Sequence, residues 1–147
     1  MTRMLTVTAA LFATLSLSAQ SNDHEAVRQA ALDYVTAVYE SKPELIERSV
    51  SPDLTKHGFM RQPDGTYRRG RMTFAELLEV AREWNANRTR DISTKEVTVG
   101  EVLDQTATAT VRASWGIDYM QLAKIDGRWK ILNIVWQSHP QVPPRQR

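Results

Sequence analysis

The 147-residue sequence contains no cysteine. That absence excludes disulfide bonds, thiolate metal sites, a cysteine nucleophile and a lipid-modified cysteine within these residues. An excess of one charge is also lacking: 19 Lys and Arg stand against 17 Asp and Glu, a net of only +2, which argues against a dedicated nucleic-acid partner. The six glycines form no phosphate-binding loop, nucleophile elbow or nucleotide fingerprint. The histidines, His24, His57 and His139, have no paired spacing, so no metal and no cofactor is expected. No stretch is long and apolar enough to span a bilayer, which takes about 20 residues.

What is present points to one exported domain. Apolar residues make up 41% of the chain, enough for a packed core. Met1–Gln20 reads as a secretory signal peptide: Arg3 supplies the positive region, and Leu5–Leu17 is an uncharged, largely apolar stretch of 13 residues. Ser16, Ser18 and Ala19 place cleavage after Ala19. Leu17 stands where a small residue is preferred, and an uncleaved N-terminal helix is the alternative. The expectation is a secreted or periplasmic protein with a domain over residues 22–139, a flexible tail over 140–147 and no membrane attachment after signal removal. Without Arg3 the net charge falls to +1.

The spacing of apolar residues predicts the elements. Asn22 or Asp23 can cap a helix to Glu40 with Val27, Ala30, Ala31, Tyr34 and Val38 on one face. A short second helix has Pro43 in its first turn and buries Leu45 and Ile46. Ser51-Pro52-Asp53 reads as a breaker. Lys56–Arg61 and Thr66–Arg71 flank Gln62-Pro63-Asp64-Gly65, a hairpin turn. Thr73-Phe74-Ala75-Glu76 is a capping box opening a third helix, with Phe74, Leu77, Leu78, Ala81 and Trp84 apolar and Asn85-Ala86-Asn87 at its end. From Ile92 the period becomes two. Thr106–Trp115 alternates, with Ala107, Ala109, Val111, Ala113 and Trp115 inward. Tyr119–Ile125 and Trp129–Gln137 flank the tight turn Asp126-Gly127. The last strand carries Trp129, Ile131 and Val135 on one face and Leu132, Ile134 and Trp136 on the other. Apolar residues on both faces call for a second covering layer, and a homodimer is expected to supply it. Three helices in the N-terminal half packed on one curved, mostly antiparallel sheet make an α+β cone.

This order, closing on the run from Asp118-Tyr119-Met120 through Asp126-Gly127-Arg128-Trp129-Lys130-Ile131-Leu132-Asn133, resembles the nuclear-transport-factor-2-like superfamily, in particular the branch named putative lumazine-binding proteins. Met120 and Leu132 replace the branch's usual aliphatics, and Ile117 stands where Thr is frequent. The resemblance spans about Asp23 to His139. It implies a cystatin-like fold with a pocket between the concave sheet face and the first helix. It carries over no catalytic residues, because the superfamily includes isomerases, dehydratases, polyketide cyclases, binding proteins and scaffolds, and fold alone does not select among them.

The reading that follows is an exported protein binding a small organic molecule. A pocket-based isomerase, dehydratase or cyclase is the alternative, and a dimeric interaction module with a filled cavity is a third. Tyr34, Trp84, Trp115 and Asn133 are candidates for an aromatic wall with one polar handle, or for plain core. His57, on the first hairpin strand, is the candidate general base, or a surface histidine on an edge strand. Asp118 and Tyr119 could serve as base and hydrogen-bond donor, yet adjacent strand residues face opposite ways. The structural alternative has Asp118 satisfying backbone groups and Tyr119 filling the core. Lys56, Arg61, Arg68, Arg69 and Arg71 read as a solvated hairpin face that blunts a sheet edge, with attraction of an anionic ligand or surface as the alternative.

Overall fold

The computed structural model describes residues 8–141, with side chains from Asn22 onward. Three helices, α1 (Thr8–Glu40), α2 (Pro43–Ser49) and α3 (Phe74–Glu83), pack on a sheet of β1 (Val50–Arg61), β2 (Tyr67–Met72), β3 (Lys95–Val102), β4 (Thr106–Ala113), β5 (Gly116–Ile125) and β6 (Arg128–Gln137). The strand order is β2-β1-β6-β5-β4-β3. Only β1 and β6 run parallel; the other neighbours are antiparallel. No helix among the described residues is long and apolar enough to cross a membrane.

Helix α1 buries Val27, Ala30, Ala31, Tyr34 and Val38 against the sheet, the face its periodicity predicts. It starts at Thr8, however, so neither Asn22 nor Asp23 is its cap. The Asp23 carboxylate instead accepts hydrogen bonds from Lys124 Nζ at 2.7 Å and Trp129 Nε1 at 2.9 Å. The helix is thereby tied to the β5–β6 hairpin. Met1–Val7 of the expected signal segment and residues 142–147 of the expected tail lie outside the described residues. Helix α2 begins with Pro43, where a missing N–H costs little. Its Arg48 makes a bidentate pair with Asp33 of α1, both contacts 2.7 Å. Helix α3 has the predicted capping box, Thr73 and Glu76 bonding each other reciprocally. Beyond its end, the buried Asn85 donates to the Tyr39 carbonyl at 2.8 Å and accepts from the Arg90 N–H at 3.0 Å.

The sheet departs from the sequence reading at two irregularities. Ser51-Pro52-Asp53 does not break the chain, because β1 runs through it. The β1–β6 register shifts between Val50 and Thr55, so Pro52 falls at a bulge, where no ladder N–H is required of it. The second irregularity lies in β6. Leu122 pairs with Ile131, but Gln121 pairs with Asn133, which leaves Leu132 as an extra residue. A bulge of this kind reverses the alternation beyond it. Trp129 and Ile131 face inward before it, Ile134 after it, and Val135 is exposed. The last strand is therefore not apolar on both faces throughout.

The turn between β4 and β5 also differs. Strand β4 ends at Ala113 and β5 begins at Gly116, which leaves Trp115 in the turn. Gly116 has φ +151°, and a Cβ there would stand 2.0 Å from the Gln137 carbonyl oxygen, so only glycine fits.

Candidate functional site

Helix α1, strands β1 and β5 and the β4–β5 turn bring four polar side chains to one point inside the cone. Tyr34 of α1 donates its hydroxyl proton to Asp118 Oδ1 at 3.0 Å. Trp115 donates its indole N–H to Asp118 Oδ2 at 2.7 Å. Lys56 of β1 donates to the Tyr34 oxygen and lies 3.4 Å from Asp118 Oδ1. Asp118 is wholly buried and Lys56 is 5% exposed. A buried ammonium and a buried carboxylate are tolerable because each offsets the other's charge and hydrogen bonds satisfy the carboxylate. Burial pushes the Lys56 amine below its usual range, and Asp118 opposes that shift. Burial and then the Asp118 charge raise the Tyr34 phenol well above the ordinary value of 10.0.

The cluster borders a cavity of about 200 Å³ between α1, α3 and the concave sheet face. Its lining includes Tyr34, Val38, Lys56, Leu77, Trp84, Trp115 and Trp136. The surface is almost wholly apolar. The aromatic rings brace one another: Tyr39 stacks on Trp84 at 5.7 Å between centroids, and Trp115 meets Tyr34, Tyr39 and Trp84 edge-on. A second cavity of about 160 Å³ shares Lys56, Met60, Met72 and Trp136 with the first and extends to Arg68 and Arg71 of β2. Trp136 can lie across β1 because residue 58 is glycine. A Cβ there would stand 2.2 Å from the Trp136 indole nitrogen.

The structure separates the residues singled out from the sequence. Tyr34, Trp84 and Trp115 line the cavity. His57 does not: it follows the inward Lys56 and pairs with Val135 and Arg71 on the other sheet face. Its Nδ1 is buried without a partner. A base needs reach to its substrate and a group that orients it, and for this cavity His57 has neither. Asn133 also lies on the outer face, because the Leu132 bulge turns it there. It accepts from the Thr55 hydroxyl and donates to Gln121, both at 3.0 Å. Tyr119 is 54% exposed, so it fills no core, while its neighbour Asp118 points inward. Asp118 binds side chains rather than backbone groups, and its tyrosine partner is Tyr34, 84 positions away. With both oxygens engaged and none of its surface exposed, Asp118 holds Lys56 and Tyr34 in place and does not touch the cavity.

Lys56 is the correction in the basic hairpin. Arg68, Arg69 and Arg71 are exposed as expected, whereas Lys56 is buried. A signal existed: Lys56 is in phase with Leu54, Gly58 and Met60 at strand spacing, and Leu54 is a core residue. Tyr39 and Trp136 were equally unmarked. Tyr39 takes part in an inter-element contact, accepting from the Ser114 N–H at 2.8 Å. Among the described residues no group of three His, Asp or Glu side chains is placed to hold a metal.

Three helices on an open six-stranded sheet with an internal cavity define an α+β protein of the cystatin-like, nuclear-transport-factor-2-like class. The chain belongs to the family described as "Putative lumazine-binding", whose model matches residues 22–137. It is similar in structure to a nuclear-transport-factor-2-like protein of unknown function from Shewanella baltica OS155, with a TM-score of 0.61, 15% identity, and 82% of this chain and 97% of that one covered. A second such protein, from Silicibacter pomeroyi DSS-3, has a TM-score of 0.59 and 15% identity over 81% of this chain and 98% of that one. A domain of unknown function with a cystatin-like fold from Nostoc punctiforme PCC 73102 has a TM-score of 0.54 and 14% identity over 82% of this chain and 80% of that one. At these identities the likeness is one of fold. No curated protein matches the sequence.

Proposed function

We propose that the chain is an exported binding protein whose small organic ligand occupies the cavity beneath α1 and α3. One observation carries this reading. A nearly apolar, aromatic-walled cavity is bordered by a buried lysine whose position is held by Tyr34 and Asp118. An apolar pocket with a few fixed polar groups is the usual form of a small-molecule site. A volume of about 200 Å³ is below the roughly 300–1,000 Å³ of drug-sized sites, so the ligand has one or two rings. The family description agrees with a small ligand. In this reading the first 20 residues direct the chain to the periplasm or medium.

The outer sheet face supports pairing of two copies. Phe59, Tyr119 and Val135 are exposed there, and an uncovered apolar face of this sort is a common association surface.

Native mass spectrometry of the protein purified from its source tests these points together. The expected spectrum shows a dimer of chains lacking about 20 residues, each carrying a small molecule released on denaturation. Val80→Trp, which fills the cavity, removes the bound mass, and Tyr119→Glu yields monomers. A ligand-free mass from gently handled protein would overturn the binding reading, and a clean monomer the pairing.

A further inference from the structure

The polar side chain that the cluster leaves partly uncommitted beside the cavity is a hydrogen-bond donor, Lys56. Tyr34 spends its proton on Asp118, and its oxygen accepts from Lys56. The Trp115 N–H is taken by Asp118. What remains is the third proton of the Lys56 ammonium, since an ammonium has three donors. The acceptor of the cluster, Asp118, is buried behind these groups with both oxygens engaged. The thioethers of Met60 and Met72, also in the lining, are weak acceptors.

Charge narrows the ligand further. Lys56 and Asp118 form a balanced pair 3.4 Å apart. An anionic ligand reaching Lys56 would bring a second negative charge close to Asp118 in an apolar surrounding, and like charges in such a place are strongly disfavoured. A neutral acceptor polarised by the ammonium meets no such penalty. The aromatic walls favour a flat molecule, because rings pack edge-on or offset against rings. Resting on the cavity being the ligand site, we propose that it selects a neutral, flat compound of one or two rings whose carbonyl oxygen accepts from Lys56 and which brings no N–H of its own. Lumazine, the compound in the family's description, is a pteridine dione with ring N–H groups, and those would find no strong acceptor here.

Calorimetric titration of the full chain with 1-indanone, indane, indane-1-carboxylate and lumazine tests the proposal. Indanone is expected to bind about tenfold or more tighter than indane, the size of a hydrogen bond to a charged group. The carboxylate and lumazine are expected to bind no better than indane. Lys56→Met should remove the indanone preference while indane binding stays within about twofold, which also reports that the variant is folded. In the unaltered protein, the carbonyl stretch of ¹³C-labelled indanone should move to lower frequency on binding. Equal binding of indanone and indane would overturn the proposal and leave the cavity reading standing. Tighter binding of the carboxylate or of lumazine would also overturn it, in favour of an anion site or a site with a strong acceptor. If none of the four bound, the cavity reading would fail as well.

Discussion

The two faces of the central strands treat adjacent residues in opposite ways. On the concave face Lys56, Asp118 and Ile134 are buried; on the convex face their sequence neighbours His57, Tyr119 and Val135 look outward. Polar groups on the inside are few and bonded to one another, whereas on the outside large apolar side chains remain exposed. A strand places successive side chains on opposite faces, so a single step along the chain separates a buried charge pair from a surface. The polar residue that matters is therefore found by its strand phase, not by its chemistry. His57 has the more reactive reputation, yet Lys56 borders the cavity.

This contrast can be broken by substitution. The largest effect is expected from Asp118→Ala, which strands Lys56 without its carboxylate. Removing one partner of a buried pair costs about 3–5 kcal/mol, readable from the midpoint of denaturant unfolding. Adding Lys56→Met to that variant should restore much of the loss, and an undiminished loss in the double variant would show that the pair is not the cause. Gly58→Ala comes next. Its Cβ would overlap the Trp136 indole, and such overpacking costs about 1–3 kcal/mol and should distort the cavity. At Gly70, its cross-strand partner, an added methyl would meet nothing within 4 Å, so Gly70→Ala serves as the matched control with little change.

Smaller effects sharpen the comparison. Asp23→Ala unties α1 from Lys124 and Trp129 and should cost about 1 kcal/mol. Those partners hold the Asp23 carboxyl below its ordinary value of 3.8, Lys124 contributing most. The stabilisation is therefore present above about pH 4 and is lost as pH falls through the lowered value. Wild type and variant should converge in acid. Tyr34 gives the opposite sign. Its phenol is raised by burial and by Asp118, so its contribution is full below pH about 10 and is lost as pH rises beyond it. Ultraviolet difference titration of wild type against Tyr34→Phe should place the Tyr34 phenolate signal well above pH 10. His57→Ala, on the convex face, should shift stability by no more than about 0.5 kcal/mol and leave cavity binding untouched.

Much of the fold was legible in the residues. The α1 face, the Thr73–Glu76 capping box, the Gln62–Gly65 turn and the β4 alternation each use a local rule, and each appears where that rule puts it. The site was half legible. Tyr34, Trp84 and Trp115 were found because aromatic residues on apolar faces converge in a cone. Asn133 was misplaced because one extra residue, Leu132, reversed the phase of β6, and nothing local announces a bulge between Ile131 and Asn133. Lys56 was passed over because its arginine neighbours suggested a solvated strand.

The sequence by itself determined the helices, the hairpins, the lack of cysteine chemistry and the opposite facing of Asp118 and Tyr119, though not which of the two turns inward, because periodicity and turn chemistry are short-range properties. Only the tertiary structure decided that Asp118 would meet Tyr34 across 84 positions and Lys56 across 62. It also decided that a bulge would turn Asn133 outward and that Lys56 would border the cavity. Those outcomes depend on which strands become neighbours and in what register, and that is settled by packing the whole sheet under its helices rather than by any one segment.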